Sequence, residues 1–207
     1  MSFPGFTDED FAVFTVPGLD ARMEQIKLRV RPKLEQIGAE LAPFLSALCG
    51  EEMFYHVAKH ARRTVNPPND TWVAWSDSKK GYKARPHFQF GLWSTHLFIQ
   101  FAVIYEYEQK AALAEQLEKN LNKIKRQIPG HYFWSADHTK PDTVPHQNMS
   151  KEDLAGMIDR LKHVKKAELL CGVRLDKDDE AAKNGEQLLA VAQQTFETLL
   201  PLYRMAK

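Results

Sequence analysis

Arg85 to Tyr107 reads RPHFQFGLWSTHLFIQFAVIYEY. Pro86 ends whatever precedes it, and the apolar, β-branched and aromatic residues that follow have the chemistry of strands rather than of a helix. The run predicts two adjacent strands. In the first, Phe88, Phe90 and Leu92 point one way and His87, Gln89 and Gly91 the other, because strand side chains alternate with a period of two. In the second, Leu97, Ile99, Phe101, Val103 and Tyr105 share a face. The opposite row of Phe98, Gln100, Ala102 and Ile104 is also mostly apolar, which predicts a place near the middle of a sheet. Ser94-Thr95 is a weak two-residue turn, so a bulge at Gly91 or a longer turn stays open.

Working outward toward the start, Phe11 to Val16 reads as a short strand closed by the Pro17-Gly18 turn. Leu19, Met23, Ile26 and Val30 recur at helical spacing. Pro32 then kinks that helix or starts a second one burying Leu34, Ile37, Leu41, Leu45 and Leu48, with Gly50 as its stop. Phe54 to Val65 reads as a strand, residues 66–70 as a turn, and Thr71 to Ser76 as a strand with Trp72 and Trp75 on opposite faces.

Beyond Tyr107 the period becomes helical. Leu113, Leu117, Leu121, Ile124 and Ile128 form one stripe, which Pro129-Gly130 ends. His131 to Trp134 reads as a short strand and Ser135 to Met149 as a loop. Ser150 and Asp153 form a capping box for a helix burying Leu154, Met157 or Ile158, and Leu161. Leu169, Cys171, Val173 and Leu175 alternate in a late strand. A final helix starts at the acidic run 176–180 and buries Leu188, Ala192, Phe196 and Leu199. The expected class is α+β: a single domain over residues 1–207, with a largely antiparallel sheet and flanking helices.

The 207 residues include 43% hydrophobic ones, enough for a sizeable core, and the net charge of +1 argues for no global nucleic-acid or membrane partner. Cys49 and Cys171 lie far apart with no C-x-x-C pairing, in apolar rows that suit inert core thiols. The start MSFPGFTDED lacks the regions of a signal peptide, so the expected compartment is the cytoplasm. No run approaches the ~18 apolar residues of a membrane span.

Charge is unusual only locally. Between His56 and His87, Lys59, Arg62, Arg63, Lys79, Lys80, Lys83 and Arg85 face two anions, Asp70 and Asp77. Histidines and tryptophans interleave with these cations, the mixture that binds phosphates and stacks rings. If the strands hold, His56, His60 and Arg62 share one face and His87 and Gln89 another. The plain alternative is a solvated basic edge that resists aggregation. His56 and His60 have the spacing of two zinc ligands on a helix, but no acid follows the first and no cysteine is near, so no metal site and no cofactor are expected. In Ser135-Ala136-Asp137-His138-Thr139 an aspartate could orient a histidine as a base, although such residues in loops usually satisfy the backbone.

Four strings are also distinctive together: GFTDEDFAVFTVPGLDARM (residues 5–23), HVAKHARRTVNPPNDTWVAW (56–75), RPHFQFGLWSTHLFIQFAVIYE (85–106) and SADHTKP (135–141). They resemble the YktB-like proteins of Bacillus and related bacteria, an uncharacterised family, over most of the chain. The resemblance implies a single α+β domain of TBP-like shape, a curved antiparallel sheet backed by helices. It implies no activity and no site, and shape does not imply DNA binding.

The functional expectation is a non-catalytic binder of an anionic partner: a nucleotide, a phosphorylated metabolite or a short nucleic acid. Its contacts would come from His60, Arg62, Arg63, Lys80, Lys83, Arg85 and His87, with Asp137 and His138. The first alternative is a hydrolase or transferase on a phosphorylated substrate, with His60, His87 or His138 as base and Arg62, Arg63 and Arg85 binding charge. The second is a structural interaction protein without a ligand. What separates binder from enzyme is whether the basic stretch and the Asp137-His138 loop converge in space.

Overall fold

The computed structural model describes residues 3–207. Its strands are β1 (Phe54–Val57), β2 (Asp70–Ser76), β3 (His87–Trp93), β4 (His96–Val103), β5 (Phe133–Ser135), β6 (Val144–Pro145) and β7 (Leu169–Asp176). They form one sheet in the order β1-β2-β3-β4-β7-β5-β6, with every pair antiparallel. The fold is therefore α+β, and β4 is its central strand.

The β3–β4 hairpin closes through Ser94-Thr95 in regular register, Leu92 opposite Leu97 and Gly91 opposite Phe98, without a bulge. Gly91 is instead a place of close approach. A Cβ there would lie 2.4 Å from the Phe98 ring and 2.6 Å from Trp72 Cβ. Alternation then sorts the sheet into two faces. Val73, Trp75, Phe88, Phe90, Leu92, Leu97, Ile99, Phe101 and Val103 are fully buried in the main core.

The helices α3 (Arg31–Cys49) and α8 (Gly185–Met205) cover that dry face. Leu34, Ile37, Leu41 and Leu45 come from the first, and Leu188, Ala192, Phe196 and Leu199 from the second. Aromatic contacts bind the layers: Phe196 lies 5.6 Å from Trp75 and 4.9 Å from Phe88, centroid to centroid, and Trp75 Nε1 donates to Gly38 O at 3.0 Å. The helix α6 (Lys151–His163) starts at the expected capping box, with Asp153 N donating to Ser150 Oγ at 3.0 Å, and buries Leu154, Ile158 and Leu161. The stripe after Tyr107 forms α4 (Lys110–Lys119) and α5 (Leu121–Gln127). Cys171 is buried and Cys49 half-buried, and burial raises both thiols, Cys49 to about 12. That leaves both in the unreactive thiol form.

Three expectations fail locally. Phe11 to Val16 is not a strand: α1 (Asp8–Ala12) and a 3₁₀ turn at Val13–Thr15 occupy it. The Thr7 backbone N–H donates to Asp10 Oδ2 at 2.8 Å, and Lys33 pairs with the same oxygen at 2.5 Å, so a capped, acid-led turn outweighs β propensity. The strand at Phe54 stops at Val57, because His60 adopts φ +52°, which no strand tolerates. The last helix is preceded by a separate short one, α7 (Glu180–Lys183), before α8 begins under an Asn184 cap. In the long N-terminal helix pair, α2 (Leu19–Gln25) runs into α3 through one π turn at Ile26–Val30, with Pro32 in the first turn of α3.

Because β7 is inserted between β4 and β5, a chain ending at Met149 lacks both a central strand and the α8 half of the core. We expect it to show no cooperative thermal transition, and a sharply melting soluble fragment would instead mean two independent units. A Cβ on Gly172 would lie 2.1 Å from Ile99 O and 2.6 Å from Gln100 Cβ, both on the paired strand. Gly172→Ala should therefore cost about 1–3 kcal/mol in urea unfolding. An unchanged midpoint would contradict the β4–β7 register.

Candidate functional site

The face of the sheet opposite the helices carries Trp72 on β2, Gln89 on β3, Phe98 and Gln100 on β4, and Leu170 and Arg174 on β7. This is where the candidate site lies. With Asp70 and residues of the 135–143 loop, these side chains line a cleft. Phe98 and Phe133 supply apolar walls, while Trp93 and His96 sit at one end with their rings 17° from parallel. Burial, with Arg174 adding to it, holds the His96 imidazole down at about 4.

A chain of fixed polarity runs along the floor. The peptide oxygen of Arg85 accepts from His87 Nδ1 at 2.7 Å, which places the proton on that nitrogen. His87 Nε2 must then accept from Gln89 Nε2, 3.0 Å away, and Gln89 Oε1 accepts from Gln100 Nε2 at 2.6 Å. His87 is fully buried, and burial lowers its pKa to about 4, so it is neutral. Tyr82 covers it, with ring centroids 4.9 Å apart and its hydroxyl accepting from Trp72 Nε1 at 2.9 Å. His87, one of the expected contacts, is fully buried with both ring nitrogens engaged, and it orients Gln89.

The second cluster is His138 with Glu168, which stands just before β7. Glu168 Oε2 accepts from His138 Nδ1 at 2.8 Å and from the His138 backbone N–H at 2.9 Å, and Oε1 accepts from the Tyr105 N–H at 3.3 Å. Burial opposes charge on His138, but the hydrogen bond and charge of Glu168, helped by Asp70 and Asp137, outweigh it and raise the imidazole above its ordinary value. Nδ1 is thus committed to Glu168, while the ring lines the cleft. At the far end of the loop His146 accepts from Trp134 Nε1 at 2.8 Å through Nδ1 and donates to Lys125 O at 3.2 Å. The loop is pinned at both ends.

The orienting carboxylate is Glu168, far away in sequence, and not the adjacent Asp137. Asp137 Oδ1 accepts from Thr139 N at 2.9 Å and from Thr139 Oγ1 at 2.6 Å, a local loop closure. The carboxylate oxygens of Asp137 and Glu168 and a ring nitrogen of His138 do lie within 4.8 Å of one another. His56 and His60 do not pair in this way. One bonds Ser78 O at 2.8 Å and the other Thr71 Oγ1 at 3.0 Å.

Asp70 is a further titratable group of the cleft, which Lys140 and Arg174 also line. It is 7% exposed, and the hydrogen bond to its carboxylate comes from its own backbone N–H. Burial raises the carboxyl from 3.8 to about 7, against the pull of Arg63 and His138. The sequence put this residue in a turn. The usable signal was its spacing from Trp72, two residues on along the same strand face.

The basic stretch surrounds two shallow depressions beside the cleft. Lys59, Lys80, Lys83 and Arg85 line one, with Glu106, and Lys59, His60, Arg62, Arg63 and Lys83 line the other. Trp72 is shared between the second depression and the cleft. Arg62, Arg63, Lys80, Lys83 and Arg85 are exposed, though Lys83 reaches Glu106 at 3.8 Å and Arg85 reaches Asp77 at 3.6 Å. His60 is turned to Thr71, and burial followed by Arg63 and Arg31 lowers it to about 4. His56, His60 and Arg62 do not share a strand face, since β1 has ended before His60.

These features define an α+β protein with an antiparallel sheet, helices on one face and a polar, aromatic-walled cleft on the other. The chain belongs to the family described as "Domain of unknown function (DUF1054)", which matches residues 6–203. It is 52% identical over 207 residues to a UPF0637 protein of Bacillus licheniformis, covering 100% of this chain and 98% of the relative. It is also 52% identical over 205 residues to one of Bacillus mycoides, covering 99% of each. A conserved hypothetical protein from Pyrococcus furiosus aligns with a TM-score of 0.39 at 13% identity, over 85% of this chain and 98% of the other. The resemblance to an uncharacterised Bacillus family holds along the whole chain. Among the described residues no helix is long and apolar enough to cross a membrane.

The raised carboxyl of Asp70 has a consequence for stability. Its native pKa lies above the unfolded value, so the native state holds the extra proton between pH 3.8 and about 7, and stability falls as pH rises through that window. Asp70→Asn should therefore be more stable than the parent at pH 8, by about 1–4 kcal/mol, with the gap closing toward pH 4. Urea unfolding at pH 4, 6 and 8 measures it. A gap that does not change with pH would show that the carboxyl is not held in this way.

Proposed function

We propose that this is a cytoplasmic, non-catalytic protein that binds an anionic ligand on the bare face of the sheet. The ligand is a nucleotide, a phosphorylated metabolite or a short nucleic acid. The observation that carries the reading is adjacency: the depression bearing Arg62 and Arg63 shares Trp72 with the cleft. One molecule can therefore place its anionic part among cations and its body among aromatic and amide groups. Lys140 and Arg174 also line the cleft, each beside a carboxylate, Asp137 and Asp176 respectively. The likeness to TBP-like sheets enters only as shape.

A second reading, an acid–base enzyme on a phosphorylated substrate, draws on His138. A carboxylate-oriented imidazole together with a carboxyl raised to about 7 in one cleft is the pairing that acid–base chemistry uses. Of the three histidines first considered as base, His60 and His87 are neutral and engaged, which leaves His138 for that role.

A thermal-shift screen of phosphates, nucleotides and short single strands tests the binding reading. A ligand at ~100 times its dissociation constant adds about 2.7 kcal/mol of stability. A strand engaging four phosphates should weaken with salt at a log–log slope of about −3, and a small ligand on one or two cations far less steeply. Changing Arg62, Arg63 and Arg85 together to Gln should weaken binding without lowering the melting temperature of the free protein. If no anion shifts the transition, or if the triple variant binds like the parent, the basic surface is only a solvated edge.

A further inference from the structure

We infer that the cleft takes a planar nitrogen heterocycle of the nucleobase type, an inference that rests on the anionic-ligand reading and specifies its ligand. The His87–Gln89–Gln100 chain is the first ground. Because Arg85 O fixes the His87 tautomer, each bond along the chain has one direction, and Gln100 is left at its end as a donor to Gln89. Gln100 is 6% exposed, and its Oε1 and second N–H have no hydrogen-bond partner among the described residues. An amide held in one orientation thus presents an acceptor and a donor to the cleft. That is the edge with which glutamine pairs to a base.

Asp70 is the second and independent ground. A carboxyl nine-tenths buried and, among the described residues, bonded only to its own backbone lines the same space, where it donates when protonated and accepts when not. These two groups suit a ligand that carries donors and acceptors on one edge. The walls require that ligand to be flat. Phe98 lies over Gly91, where any side chain would displace it, and Trp72, Trp93 and Phe133 complete an aromatic enclosure. Stacking on such surfaces tolerates any base, and the polar edge supplies the choice among them.

The test is calorimetric titration of the full chain at pH 7 with the adenosine, guanosine, cytidine and uridine 5′-monophosphates and with ribose 5-phosphate. At least one nucleotide should bind about tenfold or more tighter than ribose 5-phosphate and quench tryptophan fluorescence, the gain expected from stacking a single base. Gln100→Met should remove that preference while ribose 5-phosphate binds as before. Should Gln100→Met fail to fold, Asp70→Asn, which keeps the shape and loses the acid, should change the order of preference among the four nucleotides. If ribose 5-phosphate binds as tightly as every nucleotide, the heterocycle inference is overturned and the anionic-ligand reading stands. If nothing in the panel binds, the heterocycle inference is overturned, and the thermal-shift screen decides the anionic-ligand reading separately. A nucleoside that binds without its phosphate keeps the inference and removes the anionic reading.

Discussion

Period-two alternation along the β3–β4 hairpin is the constraint on which the other features rest. Seven apolar side chains on one face demand a helical layer, and α3 and α8 supply it, with Phe196 in contact with both Trp75 and Phe88. The same pleat then has no choice but to set His87, Gln89 and Gln100 on the other face. Those residues are nearly as buried as the core, at 0%, 3% and 6% exposure. A polar row at that depth must satisfy itself, and the directional chain from Arg85 O to Gln100 is how it does so. A register slip of one residue would exchange the two rows and lose both the core and the chain.

The outer face is only partly covered. Tyr82 closes one end over His87, and the 135–143 loop, tied down by Glu168 and His146, walls the other. Between them the sheet is open enough to leave Asp70 without a cation in contact. The cost of desolvating a carboxylate then appears as a raised pKa rather than as an ion pair. The cleft thus gathers a buried amide pair, a carboxyl and aromatic rings on one face of the sheet.

Much of the fold was legible from residues alone, where the pattern was long. The hairpin, the helices ending at Gly50 and Pro129-Gly130, the capping box at Ser150 and the late strand at Leu169 all rest on local chemistry. Short stretches misled. Phe11 to Val16 has strand residues but a helix cap ahead of it, and the strand from Phe54 ends where His60 turns left-handed. In both, one backbone hydrogen-bonding detail outweighed several side-chain preferences.

For the site, the sequence by itself determined which residues alternate with the phenylalanines of the hairpin, and so that Gln89 would face away from the core beside His87. It also determined that cations crowd between His56 and His87. Only the tertiary structure decided that Glu168, thirty residues beyond His138, is its partner, and that Asp70 closes the same cleft. Only it decided that His87 is fully buried, with both ring nitrogens engaged. The reason is that strand order sets these neighbours: β7 pairs with β4 and β5 although both precede it by many residues, and no period within one segment encodes which distant strand will lie beside it.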